Sequence, residues 1–301
     1  MFYAVAPFRS SAKGALDKTT SRRIDTAASL ERTATTEELL SAIEGLVGLH
    51  EIKSYMEELS AFSTINEWRR HYRLRTDFPM HHMVFYGSPG TGKTTVARML
   101  GKVLRGLGML ASGHVVEVER ADLVGEYVGH TAQKTRLALN RARGGILFID
   151  EAYALARGGD NDFGREAIDT LVKGMEEWHR ELVVILAGYR REMRYFLSLN
   201  PGLSSRFPVQ IEFPAFRESE LVEIAVQMAR DRDYRISADG LQALRTLLRL
   251  EMRSDDFGNG RTVRNLLEKA MRKQAQRIVL ENSFDRERLV TLKASDFYGL
   301  A

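Results

Sequence analysis

His82-Met83-Val84-Phe85-Tyr86-Gly87-Ser88-Pro89-Gly90-Thr91-Gly92-Lys93-Thr94 is the stretch on which the fold turns. Residues 82–86 read as a short strand, the next eight match G-x-x-x-x-G-K-[ST], and residues 94–107 repeat apolar side chains at helical spacing. A strand, a glycine-rich turn and a helix in that order converge backbone N–H groups on one point. The positive end of the helix dipole lies there too, so the point holds phosphate oxygens. Gly87, Pro89, Gly90, Thr91 and Gly92 shape such a loop. Lys93 supplies a point charge to the β- and γ-phosphates, the Thr94 hydroxyl suits Mg²⁺, and Thr95 follows in the same helical turn.

Working outward, short apolar runs alternate with helical segments. Residues 114–118, 145–149, 182–187 and 209–213 read as further strands, and 131–143 and 163–178 as helices between them. Strands apolar throughout, alternating with helices, predict a parallel sheet covered on both faces, an α/β fold. The run Ile146-Leu147-Phe148-Ile149 ends in Asp150-Glu151. At the end of a buried strand in this pattern, Asp150 is placed to hold Mg²⁺ and Glu151 to polarise an attacking water as general base. The two motifs together define a P-loop NTPase that takes ATP with Mg²⁺.

Two regions flank the sheet. Residues 1–40 are crowded with Ser, Thr and mixed charges and read as a flexible or weakly helical arm. An amphipathic helix follows over about 51–74. Beyond Pro214 strands nearly vanish, and 219–232, 237–253 and 261–280 read as helices, with one more short element at 289–292. The expected organisation is an arm (1–40), an α/β nucleotide-binding domain (41–214) and a helical lid domain (215–301).

Composition narrows the chemistry. The 301 residues are 44% hydrophobic and 28% charged, in the range of ordinary globular chains. There is no cysteine, which removes disulfides, thiolate metal sites and cysteine nucleophiles. With 44 Lys and Arg against 40 Asp and Glu, the net charge of +4 is no nucleic-acid footprint. No uninterrupted apolar run is long enough for a membrane span. A cytoplasmic protein is expected.

The double acid and the helical C-terminal domain resemble the AAA+ ATPases, over about residues 40–300. That resemblance implies a ring, in most cases a hexamer, acting on a protein client. It implies that Tyr127-Val128-Gly129 face a central pore and grip polypeptide, with residues 157–164 at the position of a second pore loop. It implies that Arg206, in Asn200-Pro201-Gly202-Leu203-Ser204-Ser205-Arg206-Phe207, is an arginine finger acting on a neighbour's ATP. It implies that Arg261, with Arg264 as reserve, reaches the γ-phosphate in cis from the lid. Val47-Gly48-Leu49 is similar to the segment lining the adenine pocket, with Gly48 at its centre. Where many AAA+ proteins carry a polar Thr-Asn pair, this chain has Ala187-Gly188-Tyr189-Arg190. The water-orienting duty there falls to Tyr189 or Arg190, packing of Tyr189 being the alternative.

Within AAA+, Asp122–Thr131, the Ala-Gly-Tyr exit and Asn200–Leu203 resemble the subfamily of the red-type Rubisco activases and stage V sporulation protein K. Residues 154–159, 166–173 and 196–200 are more similar to its sporulation branch. The expectation is a ring-forming, Mg²⁺-dependent ATPase that remodels or threads a protein in spore formation. A red-type Rubisco activase is the alternative. A nucleotide-loaded DNA loader or initiator is the alternative of another class, disfavoured by charge and by the lack of a helix-turn-helix after residue 214.

Overall fold

Unbroken apolar runs in the central strands demand cover on both faces, and the computed structural model shows that cover. It describes residues 36–76, 82–127, 129–157, 163–199 and 201–299. Five strands, β1 (Met83–Gly87), β2 (Val115–Val118), β3 (Ile146–Ile149), β4 (Val183–Gly188) and β5 (Val209–Phe213), form one sheet in the order β2-β3-β4-β1-β5. Every pairing is parallel; Met83 stands opposite Ile185 on one side and Val209 on the other.

The period-2 alternation of the strands divides the core in two. Met83, Phe85, Phe148, Ile185, Ile211 and Phe213 point to the face covered by helices α1 (Thr36–Glu44), α2 (His50–His71) and α3 (Lys93–Gly106). Val84, Leu147, Ile149, Val184 and Leu186 point to the other face. That face is covered by α4 (Arg120–Leu123), α5 (His130–Ala142), a 3-10 turn (Ala152–Ala156), α6 (Gly164–Glu177), α7 (Arg190–Ser198) and α8 (Pro201–Ser204).

The lid is helical with one addition. Helices α9 (Glu218–Arg230), α10 (Ala238–Glu251), α11 (Gly260–Glu281), α12 (Arg286–Val290) and α13 (Ala294–Phe297) enclose Leu221, Ala225, Leu244, Leu248, Val263, Leu267, Leu292 and Phe297. Strands β6 (Arg235–Ile236) and β7 (Thr291–Leu292) pair in parallel and tie the end of the chain back to the start of α10. Buried Asp296 receives a two-pronged bond from Arg277 at 2.8 and 2.9 Å, which fixes α13 on α11.

The helix α1 starts at Thr36, inside the stretch expected to be an arm. Leu40 and Ile43 explain it: Leu40 is partly buried against the core that Ile43, 1% exposed, joins, so tertiary burial starts before residue 41. The rest of the arm, residues 1–35, lies outside the described residues.

Candidate functional site

The order of the strands builds the site. β4 lies between β1 and β3, so the exits of three neighbouring strands meet at one edge. With roughly 4.8 Å between neighbours, the loop leaving β1 stands about 10 Å from the acids leaving β3. The chain passes from β1 to β2 at one end of the sheet and from β4 over to β5 at the other. The crevice beside β1 is therefore a topological switch point, where ligands bind in open α/β sheets.

A cavity of about 770 Å³ occupies that crevice, between the sheet and the lid. Gly87, Pro89, Gly90, Thr91, Gly92, Lys93, Thr94 and Thr95 line it from the loop and the first turn of α3. Asp150, Glu151 and Tyr189 line it from the neighbouring strand exits, and Arg261 and Arg264 from the lid. Its apolar end is made by Leu46, Val47, Leu49, Phe216, Ile224 and Met228, a wall suited to a flat aromatic base.

The loop has the features a phosphate chain needs. Gly92 caps α3 at φ 94°, and a Cβ built on it meets no atom within 4 Å, so the cradle is open at that point. The Lys93 ammonium donates to the carbonyls of Gly87 and Ser88 at 2.8 and 2.9 Å. Burial holds its pKa below the ordinary lysine value; Asp150 works against that shift, Arg261 adds to it and Glu151 opposes it. A buried ammonium whose hydrogen-bond partners are two neutral carbonyls is a receptor for an anion.

Glu151 sits at φ 46° and ψ 43°, a left-handed backbone that costs a non-glycine residue energy. Its N–H donates to Asp150 Oδ1 at 3.0 Å, and its charge bears on the neighbouring Tyr153 phenol. Burial foremost, then the Glu151 charge, pushes the Tyr153 phenol up to about 12, so it stays a donor at neutral pH. Tyr153 also packs 6.3 Å from the Tyr189 ring and lies under the Arg157 guanidinium at 4.6 Å. Sequence reasoning missed Tyr153, which no motif marks.

The remaining expected residues lie as follows. Tyr189 faces the cavity, whereas Arg190 is drawn off into a 2.5 Å ion pair with Glu212. Gly48 does not line the cavity; at φ 67° it turns behind the wall, against Glu220 and Phe216, and leaves Val47 and Leu49 to form it. Arg206 lies away from the cavity, donating to Gly202 O at 2.9 Å and paired with Glu176. Tyr127 is 66% exposed, and its ring meets that of His130 at 5.5 Å; Gly129 caps α5 at φ 81°. Val128 and residues 158–162, which fall within the two pore-loop expectations, lie outside the described residues.

Nucleotide and metal fit these donors. Among the described residues no group of three or more His, Cys, Asp or Glu side chains is set to hold a metal. Thr94 and Asp150 line the cavity beside the phosphate loop, two oxygen donors suited to an ion that completes its shell with phosphate oxygens and water, as Mg²⁺ does.

Comparison with known proteins agrees with this geometry. Residues 83–215 match the family described as ATPases associated with various cellular activities (AAA), and residues 217–299 match the AAA lid domain. Stage V sporulation protein K of Bacillus subtilis is 48% identical over 262 residues, covering 86% of this chain and 81% of that protein. The chloroplastic ribulose bisphosphate carboxylase/oxygenase activase of Cyanidioschyzon merolae is 45% identical over 260 residues, covering 84% and 85%. Protein CbbX of Cereibacter sphaeroides is 42% identical over 276 residues, covering 91% and 89%. Among the described residues no helix is long and apolar enough to cross a membrane.

Proposed function

Because the chain belongs to the AAA ATPases, with their lid domain, and hydrolyses ATP, we propose that it does so with Mg²⁺, as a ring of identical subunits, a hexamer, that pulls on a protein client. The observation that carries this reading is the single cavity bringing Lys93, Thr94, Asp150, Glu151, Tyr189 and Arg261 to one edge of the sheet.

The Lys93 ammonium leaves the Gly87 and Ser88 carbonyls for the β- and γ-phosphate oxygens. The Thr94 hydroxyl and the Asp150 carboxylate would hold Mg²⁺, which would supply positive charge to the phosphates. Glu151 takes the proton of the attacking water as general base. Tyr189 lies where a group between loop and acids orients that water. Arg261 meets the γ-phosphate in cis from the lid, and Arg206 meets that of the next subunit, its fixed charge opposing the charge that develops there. Tyr127, exposed beside Gly129, grips the client by its ring without reading sequence.

The likeness to stage V sporulation protein K supports a client and a role in spore formation. The likeness to the Rubisco activase and to CbbX supports the second reading, a Rubisco activase. The two share this chemistry and differ in client. A Glu151→Gln protein loaded with ATP is the trap that decides between them. Stable capture of Rubisco inhibited by a sugar bisphosphate, and its reactivation by the wild type, establishes the activase. Capture of a sporulation protein, with inhibited Rubisco left untouched, establishes the first reading.

A further inference from the structure

Gly258-Asn259-Gly260-Arg261 forms a tight turn closed by the Arg261 N–H on the Gly258 carbonyl at 2.9 Å. Asn259 has φ 48° and ψ −122°, the values of the first central position of a type II′ turn. Glycine fills that position without steric cost, and glycine stands on both sides of it here, yet the position itself carries a side chain that is 1% exposed. Strain of this kind persists only where the surroundings over-determine it, and it points to a use.

Both ends of the amide are employed. Oδ1 accepts from the backbone N–H of Phe216 at 3.1 Å, and Nδ2 donates to the carbonyl of Pro89 at 3.3 Å. Turning the amide over would set donor against donor and acceptor against acceptor. Phe216 lies in the linker between β5 and the lid, and Pro89 in the phosphate loop. Beside them the Gly260 N–H donates to the Gly90 carbonyl at 3.0 Å, and a Cβ on Gly90 would stand 2.0 Å from the Gly258 oxygen. Loop and turn are thus joined backbone to backbone, one residue ahead of Arg261.

We infer that Asn259 is a positioning residue, a strut that ties the phosphate loop to the lid and its linker and so delivers Arg261 to the γ-phosphate end of the cavity. This rests on the reading of Arg261 given above. Asn259 acts through the Pro89 carbonyl and through Arg261. A phosphate loop shaped around three phosphates and a lid with Arg261 in place become one state.

Glycine at 259 relaxes the backbone and deletes both amide bonds, so the turn survives and the strut does not. Asn259→Asp keeps an acceptor for Phe216 but turns an oxygen toward the Pro89 carbonyl, and it covers the case in which the glycine variant does not fold. Binding of fluorescent ATP and ADP, turnover and melting are compared for wild type, both Asn259 variants and Arg261→Ala. ADP has no γ-phosphate, so its affinity should stay close to wild type in every variant. The preference for ATP over ADP and the turnover number should fall about tenfold or more, the worth of a hydrogen bond to a charged group. If both Asn259 variants keep the wild-type preference and turnover, or lose ATP and ADP in equal proportion, Asn259 is scaffold and the inference is overturned. If Arg261→Ala loses the preference and the Asn259 variants do not, the strut alone fails. If Arg261→Ala keeps it, the reading of Arg261 fails and the strut with it.

Discussion

Arg206 is ion-paired within its own chain to Glu176, at the end of α6, while its other nitrogen donates to the Gly202 carbonyl at 2.9 Å. The Glu176 side chain is 57% exposed, so the pair is worth at most about 1 kcal/mol, a factor of about five in an equilibrium. An arginine finger is worth about 10³-fold or more in rate. In the proposed ring a neighbour's phosphate would therefore outcompete Glu176. Arg206→Ala should nearly abolish turnover, whereas Glu176→Gln should change it by no more than about fivefold. Steady-state ATPase assays of both variants check this. Equal losses in the two would mean that Arg206 serves the fold of α8 and not catalysis.

Lys93 and Glu151 line one cavity but carry different duties, and their variants should separate. Lys93→Ala removes the charge that receives phosphate, so affinity for fluorescent ATP should collapse. Glu151→Gln leaves the cradle whole and the side chain nearly isosteric. Binding should be retained while turnover drops about 10²–10⁴-fold, the usual worth of a general base. A Glu151→Gln enzyme turning over at the wild-type rate would remove Glu151 from the mechanism.

The legibility of the site follows from how local each requirement is. The phosphate loop needs its glycines, lysine and threonine within eight consecutive positions, and Asp150-Glu151 need only the end of a buried strand, so both stood out in the sequence. Asn259 depends on a carbonyl at 89 and an N–H at 216, and no pattern within a window links those three. Tyr153 comes beside Tyr189 only through the 3-10 turn after Glu151, which no residue pattern marks. The three inner strands were legible because each is apolar on both faces, and the edge strands β2 and β5 because apolar residues alternate there with Glu117, Gln210 and Glu212. Strands β6 and β7, two residues each, are too short to show a period. The helix α1 was not told apart from the arm because its burial rests on Ile43 meeting side chains from α2 and α3.

Burial lowers the Lys93 pKa from 10.5, and the consequence for binding has a definite sign. The ammonium is the form that binds phosphate, so affinity should fall as pH rises through a value below 10.5. Stability moves the other way. The unfolded chain holds this proton to higher pH than the folded one, so between the two pKa values the Lys93 contribution to stability rises with pH. A plot of the Michaelis constant for ATP against alkaline pH should break upward below 10.5 in the wild type and lack that break in Lys93→Ala. No break below 10.5 would mean that the folded protein does not destabilise the ammonium.

Tyr127 is the residue whose role a stability measurement divides most cleanly. It is 66% exposed, and its ring meets that of His130 at 5.5 Å, within the same turn. A surface side chain of this kind costs within about 0.5 kcal/mol when truncated, against about 3–5 kcal/mol for a core aromatic. Tyr127→Ala should therefore melt within a degree or two of the wild type, about what that energy shifts a chain of this size. Its ATPase activity without client should also be unchanged, because Tyr127 lines no part of the nucleotide cavity. What should vanish is work on the client, measured as unfolding of a captured protein or stimulation of ATPase by it. Tyr127→Phe should restore that work if the ring alone grips, since the hydroxyl then has no duty. A Tyr127→Ala protein that still processes its client at the wild-type rate would refute the gripping role, and one that melts many degrees lower would place Tyr127 in the packing of α5.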